Sequence, residues 1–105
     1  KCFGKGNYFL ELQDHGISDQ KIVNQHLYKM SKELSIPLVC TNDIHYTYES
    51  DVEAHDVLLC IQTGKLVTDE DRMRYEGGQY YLKSPEEMES LFPYAKEALK
   101  NLISI

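Results

Sequence analysis

Two strand-like runs separated by one helical pattern constrain this chain more than anything else in it. The stretch "NYFLELQ", Asn7 to Gln13, carries Phe9, Leu10 and Leu12 behind a glycine-rich lead-in. "DHGIS" then turns the chain, and Ser18 is placed to cap a helix over Asp19 to Leu34. Ile22, Val23, Leu27, Met30 and Leu34 fall on one stripe of that helix. After Pro37, Leu38-Val39-Cys40-Thr41 is apolar on both faces, the pattern of a strand buried from two sides. Strand, helix and strand within about 35 residues make a βαβ unit, with parallel strands and a right-handed crossover. The fold class is therefore α/β.

The remainder reads as helices and turns. Ser50-Asp51-Val52-Glu53 has the form of a capping box, opening a helix through Ala54, Val57, Leu58 and Ile61 that Gly64 ends. "KLVTDEDRMRYEGGQYYLK" is rich in turn residues, and Gly77-Gly78 can close a small hairpin between Met73–Tyr75 and Gln79–Leu82. Ser84-Pro85-Glu86-Glu87 is a second capping box with proline at the first helical position. A short helix through Met88, Leu91 and Phe92 follows, then Pro93 and a last helix patterned by Ala95, Ala98, Leu99, Leu102 and Ile103. That helix stops without a Gly or Asn cap, and the start leads straight into a strand. Both ends predict a segment of something larger.

With 105 residues the chain makes one modest domain. Its net charge of −6 excludes a self-contained nucleic-acid clamp, which needs clustered Lys and Arg. Lys65, Arg72 and Arg74 sit among Asp69, Glu70, Asp71 and Glu76, so their local sum is about zero. No apolar run approaches the roughly 20 residues of a membrane span, and no signal-peptide core is present. A cytoplasmic protein is expected. Cys2, Cys40 and Cys60 are odd in number and lack C-x-x-C spacing, which favours reduced, buried thiols.

The chemistry-bearing feature is Asp43-Ile44-His45, directly after the second strand. Strand C-terminal ends are where α/β proteins collect ligands. On extended backbone, residues two apart point to one side, so a carboxylate and an imidazole can converge on one cation or touch two. The same pair also suits a plain surface turn, and two ligands do not complete a site. His15 follows the first strand and reads as a polar turn residue beside Gly16; His26 and His55 lie on helices as packing or surface groups. The eight tyrosines are spread through strands and loops, and half-buried structural roles suffice for most of them. There is no glycine-rich phosphate loop, nucleophile elbow or HExxH.

"FLELQDHGI", "LVCTNDIHY", "EAHDVLLCIQTGK" and "YYLKSPEEMESLF" occur in an order and spacing that resemble the later part of the PHP (polymerase and histidinol phosphatase) domain of bacterial DNA polymerase III α subunits, of the DnaE-like type. "TNDIHY" is shared with other PHP proteins, while the later blocks are specific to the polymerase type. The resemblance implies a fragment of a distorted (β/α)7 barrel: residues 7–46 a βαβ unit with a metal-motif loop, 50–64 a helix, 65–83 a loop or hairpin and 84–105 helices. It also implies that Asp43 and His45 are the D-x-H ligands of a centre holding divalent Zn, Mn or Mg. Such centres hydrolyse phosphoesters, including as 3′–5′ exonucleases; in other members the domain only stabilises and docks. The opening H-x-H motif is absent and His15 matches no family ligand, so no catalytic residue is assigned and the segment alone is expected to be inactive. The implied parent is a DNA-directed DNA polymerase acting in replication, with DNA, a proofreading subunit and a sliding clamp as partners and no membrane. A small-molecule PHP phosphatase is the remaining alternative. Missing barrel strands would leave apolar surface bare, so the segment is expected to self-associate.

Overall fold

The structure, a computed structural model, describes residues 2–105 and divides into two units. The first comprises residues 2–41 and 83–105, the second residues 42–82.

In the first unit, β1 (Leu10–Leu12) and β2 (Leu38–Cys40) form a two-stranded parallel sheet, joined through α1 (Ser18–Leu34). The register pairs Leu10 with Leu38 and Leu12 with Cys40. The βαβ expectation holds, with shorter strands than the sequence suggested. Backbone bonds from Leu10 N–H to Pro37 O at 2.9 Å and from Thr41 N–H to Leu12 O at 3.0 Å carry the ladder one step past each end. β2 is buried at all three positions, as its two-sided apolar pattern requires. Between β1 and α1, Asp14 accepts from the Gly16 N–H at 3.0 Å, and Gly16 takes the φ of 80° that glycine adopts without strain.

Two expectations about α1 fail. Ser18 is the first helical residue; Ile17 occupies the cap position, and no side chain caps there. The apolar stripe is mostly in water: Ile22, Val23, Met30 and Leu34 are all exposed, Ile22 at 55 %. The reason is the sheet's width. Two strands about 4.8 Å apart cover only a narrow line on a helix, and that line falls on Leu27 and Tyr28. The one fully buried residue of α1 is Asn24, whose amide donates to the Gln13 carbonyl at 2.9 Å.

The core is finished by α3 (Pro85–Leu91) and α4 (Lys96–Ser104). The capping box opens α3 as predicted: the Glu87 N–H donates to Ser84 Oγ, and the Ser84 N–H to the Glu87 carboxylate at 2.7 Å. Phe92, with no exposed surface, packs with Leu10, Leu12, Leu38, Cys40, Ala95 and Ala98. Asn101 on α4 donates to the Leu38 carbonyl at 2.8 Å, satisfying an acceptor of the sheet. The inward pattern of α4 stops at Leu99; Leu102 and Ile103 are exposed, Ile103 at 90 %. Cys40 is a buried free thiol, and burial pushes its pKa up to about 12.

The second unit is built around α2 (Val52–Thr63), which Gly64 ends at φ 65°. The Lys65 N–H donates back to the Cys60 carbonyl at 2.9 Å, as a left-handed C-cap allows. The helix does not open on the predicted Ser50–Glu53 box. A 3-10 turn over Glu49–Asp51 precedes it, and the reciprocal pair lies two residues earlier, with the Tyr48 N–H donating to the Asp51 carboxylate at 3.0 Å and the Asp51 N–H to the Tyr48 carbonyl. The shorter turn brings Asp51, rather than Glu53, within reach of a free donor. Leu59 and the free thiol Cys60 are buried, whereas Val57, Leu58 and Ile61 are exposed, reversing the predicted inner face.

The hairpin is also corrected. Among the described residues, none of 73–75 is in a strand. Gly77 and Gly78, at φ 91° and 63°, return the chain to a different partner, the segment after Thr41. Tyr46 and Tyr81 form a parallel bridge, and the Leu82 N–H donates to the Thr47 carbonyl at 3.2 Å. Asn42 makes this pairing the better one. Its buried amide donates to both the Gln79 and Tyr81 carbonyls, at 3.1 and 2.8 Å.

Candidate metal centre

Asp43 and His45 both lie in the second unit, in the segment that Asn42 ties to residues 79–81. Their backbone is not the extended one assumed from the sequence. Asp43 sits at φ 46°, a left-handed conformation that aspartate tolerates better than most residues with a Cβ. This kink, and not strand alternation, turns the two side chains to one side. His45 Nδ1 lies 3.8 Å from Asp43 Oδ2 and 2.7 Å from the Asp43 carbonyl oxygen.

The second contact fixes the imidazole's chemistry. A carbonyl only accepts, so Nδ1 carries the hydrogen of the neutral ring and Nε2 keeps its lone pair. A histidine held this way through one nitrogen and bare at the other has the form of a metal ligand. The His45 backbone is fixed too, its N–H donating to the Tyr80 carbonyl at 2.8 Å. Both side chains are accessible, His45 at 30 % and Asp43 at 49 %.

Around them stands a group of rings that sequence reading did not assemble. His45 lies against Tyr75, tilted by 38° with centroids 4.3 Å apart, and meets His55 at 5.8 Å and the Tyr80 edge at 5.9 Å. Tyr75 touches His55 and Tyr80 at 5.2 and 5.1 Å. Tyr46 lies 5.2 Å from His55, and its hydroxyl accepts from the Tyr80 N–H at 3.3 Å. Burial raises the Tyr80 hydroxyl's pKa, helped by the nearby Asp43 charge. His55, read from sequence as a packing or surface group, is thus part of the candidate site's wall. The available signal was that His45-Tyr46 and "YEGGQYY" both concentrate rings beside turns.

The other predicted positions behave differently. His15 is buried in the first unit, where the Gln20 side-chain amide lies 2.9 Å from Nδ1 and its oxygen accepts from the His15 N–H at 2.7 Å. It is a structural turn histidine. His26 is exposed on α1. Among the described residues, no three or more His, Cys, Asp or Glu side chains converge into a metal cage. Asp43 and His45 are two potential donor groups, too few to enclose an ion.

The comparisons with known proteins are consistent across bacteria. The chain is 48% identical over all its 105 residues to DNA polymerase III subunit alpha of Borreliella burgdorferi. The Treponema pallidum protein of the same name is 45% identical over 98% of the chain, and that of Campylobacter jejuni 42% over 92%. This chain is homologous to a segment of DNA polymerase III subunit alpha. It spans only 8–9% of the length of those relatives. No family model matches it.

Proposed function

We propose that the chain is the later part of the PHP domain of a replicative DNA polymerase α subunit, and that Asp43 and His45 supply two ligands to a metal-dependent phosphoesterase centre. An identity of 48% across all 105 residues carries the polymerase reading. The shared orientation of the Asp43 carboxylate and the His45 ring, with Nε2 left open, supports the metal reading. A carboxylate and an imidazole nitrogen suit a divalent ion such as Zn, Mn or Mg. The remaining ligands would come from parts of the barrel outside this chain, so these residues alone would not hydrolyse DNA.

A bound cation would lower the pKa of a water and neutralise charge on a phosphate under attack. The chain's own contribution is geometric. Asp43 offers carboxylate oxygens held by a fixed kink, and His45 offers Nε2 from a ring whose tautomer the Asp43 carbonyl sets. The parent would be a cytoplasmic DNA-directed DNA polymerase, with DNA, a proofreading subunit and a sliding clamp as its partners. No helix among the described residues is long and apolar enough to cross a membrane. Polymerisation itself would belong to other parts of the protein.

The non-catalytic reading, a segment that stabilises and docks, is favoured by the exposed apolar faces of α1 and α2. A small-ester phosphatase is disfavoured by relatives that are polymerase subunits. Metal analysis and single-strand DNA degradation on the complete domain separate the first two. Asp43→Asn and His45→Ala are expected to lose both bound metal and nuclease activity; wild-type protein without nuclease activity would leave docking as the function.

A further inference from the structure

We infer that Tyr75 is a positioning residue for His45, walling the imidazole so that Nε2 faces the cation. The inference rests on the metal-ligand reading above. A single hydrogen bond at a half-exposed histidine competes with water and leaves the ring free to rotate about its last torsion. That rotation would trade Nε2 for carbon. Tyr75 supplies the second restraint, its ring lying 4.3 Å from the imidazole at an angle of 38°. This separation is at the short end of aromatic contact, so turning the imidazole would press its edge toward the Tyr75 ring.

Tyr75 can do this only if it is itself held, and its own segment has no regular secondary structure. The holding comes from Arg72. Its two terminal nitrogens grip the Asp56 carboxylate at 2.6 and 2.7 Å, with one also reaching the Val67 carbonyl at 3.3 Å. The Arg72 side chain is only 2 % exposed. Asp56 follows His55 on α2, so this fork fastens the segment beside the helix. Tyr75 then packs edge-on against His55 and Tyr80 and lies tilted against His45. No other tyrosine of the group lies as close to the imidazole; Tyr80 meets it edge-on at 5.9 Å.

The test is a Mn2+ binding isotherm, read by electron paramagnetic resonance, on the full-length polypeptide that carries this sequence. Tyr75→Phe keeps the ring and should bind within about twofold of wild type. Tyr75→Leu and Tyr75→Gln remove it in apolar and polar form, and should weaken the site about 10- to 100-fold, the range for lost support of a metal ligand. Unfolding midpoints and hydrogen exchange of α2 should match wild type. A wild-type isotherm in either truncation overturns the inference, as does loss of the fold in both, which would make Tyr75 merely structural. Asp43→Asn and His45→Ala tell the two levels apart. If they also bind as wild type, the metal-ligand reading fails; if they weaken and the truncations do not, only the positioning role falls.

Discussion

The two units of this molecule hold themselves together by different means. Counting the preceding Lys1, the first carries eight acidic and eight basic residues; the second carries nine acidic against three basic, and so all of the net charge of −6. The first is ordered by apolar contact: Phe92, Leu12 and Cys40 have no solvent exposure to speak of, and two strands and three helices close around them. The second has one regular α-helix, and relies on polar ties from Asn42 and Arg72 and on a group of rings. Hydrophobic packing is tolerant of sequence detail, whereas directional ties fix particular atoms at particular distances. The division of labour follows: the first unit supplies a framework, the second supplies geometry.

This contrast can be broken by experiment, and hydrogen exchange followed by mass spectrometry gives the local readout. The largest effect is expected from Phe92→Ala, which should cost about 3–5 kcal/mol and collapse protection across β1, β2 and α4 together. Loss confined to the residues beside position 92 would mean that the first unit lacks a shared core. Next comes Arg72→Met, expected to release residues 65–78 while leaving the β1–β2 ladder protected. If both units respond equally, they do not rest on separate supports. Asp43→Ala should cost about 1–2 kcal/mol locally, because alanine lacks aspartate's tolerance for a left-handed backbone, while Asp43→Gly should not; equal protection of residues 42–48 in the two variants would refute the strain. Ser84→Ala, removing half of a capping box, should cost about 1 kcal/mol, seen as faster exchange in the first turn of α3. An unchanged first turn would count against the cap.

The smallest effects at neutral pH become visible at the extremes, with opposite signs. In the first unit the buried Cys40 thiol has its pKa raised to about 12, so its contribution is complete below the unfolded value near 9 and is lost as pH climbs between them. In the second, the Arg72 hydrogen bonds hold Asp56 below its ordinary value. That contribution is present above the unfolded carboxylate pKa and is lost as pH falls through the folded one. A pH series of unfolding midpoints should therefore lose part of its alkaline decline in Cys40→Ala, the Tyr80 and Tyr94 hydroxyls, also pushed up by burial, keeping the rest, and part of its acid decline in Asp56→Asn. Parallel curves for wild type and either variant would dismiss the corresponding shift.

The same contrast explains which parts of the sequence could be read. The βαβ unit was legible because period and polarity act locally: "LVC" is apolar on both faces wherever it is put, and Ser84-Pro85-Glu86-Glu87 caps a helix with its own atoms. The helix faces were misread because periodicity reports which side is apolar, not what lies opposite. Ile22 and Val23 on α1 and Ile61 on α2 are apolar and uncovered. Asp43 and His45 were found together, but for a different reason than supposed, since the kink at Asp43 replaces the assumed extended backbone. Tyr75 escaped entirely. Its place depends on an arginine three positions earlier choosing an aspartate 16 residues away in sequence, and no local pattern announces that choice.

Concentrating the chain's excess negative charge into 41 consecutive residues has an electrical consequence. Within a Debye length of roughly 8 Å at physiological ionic strength, those carboxylates gather small cations and repel polyanions. A phosphate chain nearing His45 would be slowed until mobile salt or a resident ion offset that field. Added salt should then speed its arrival, opposite to the usual behaviour of basic surfaces that grip nucleic acid.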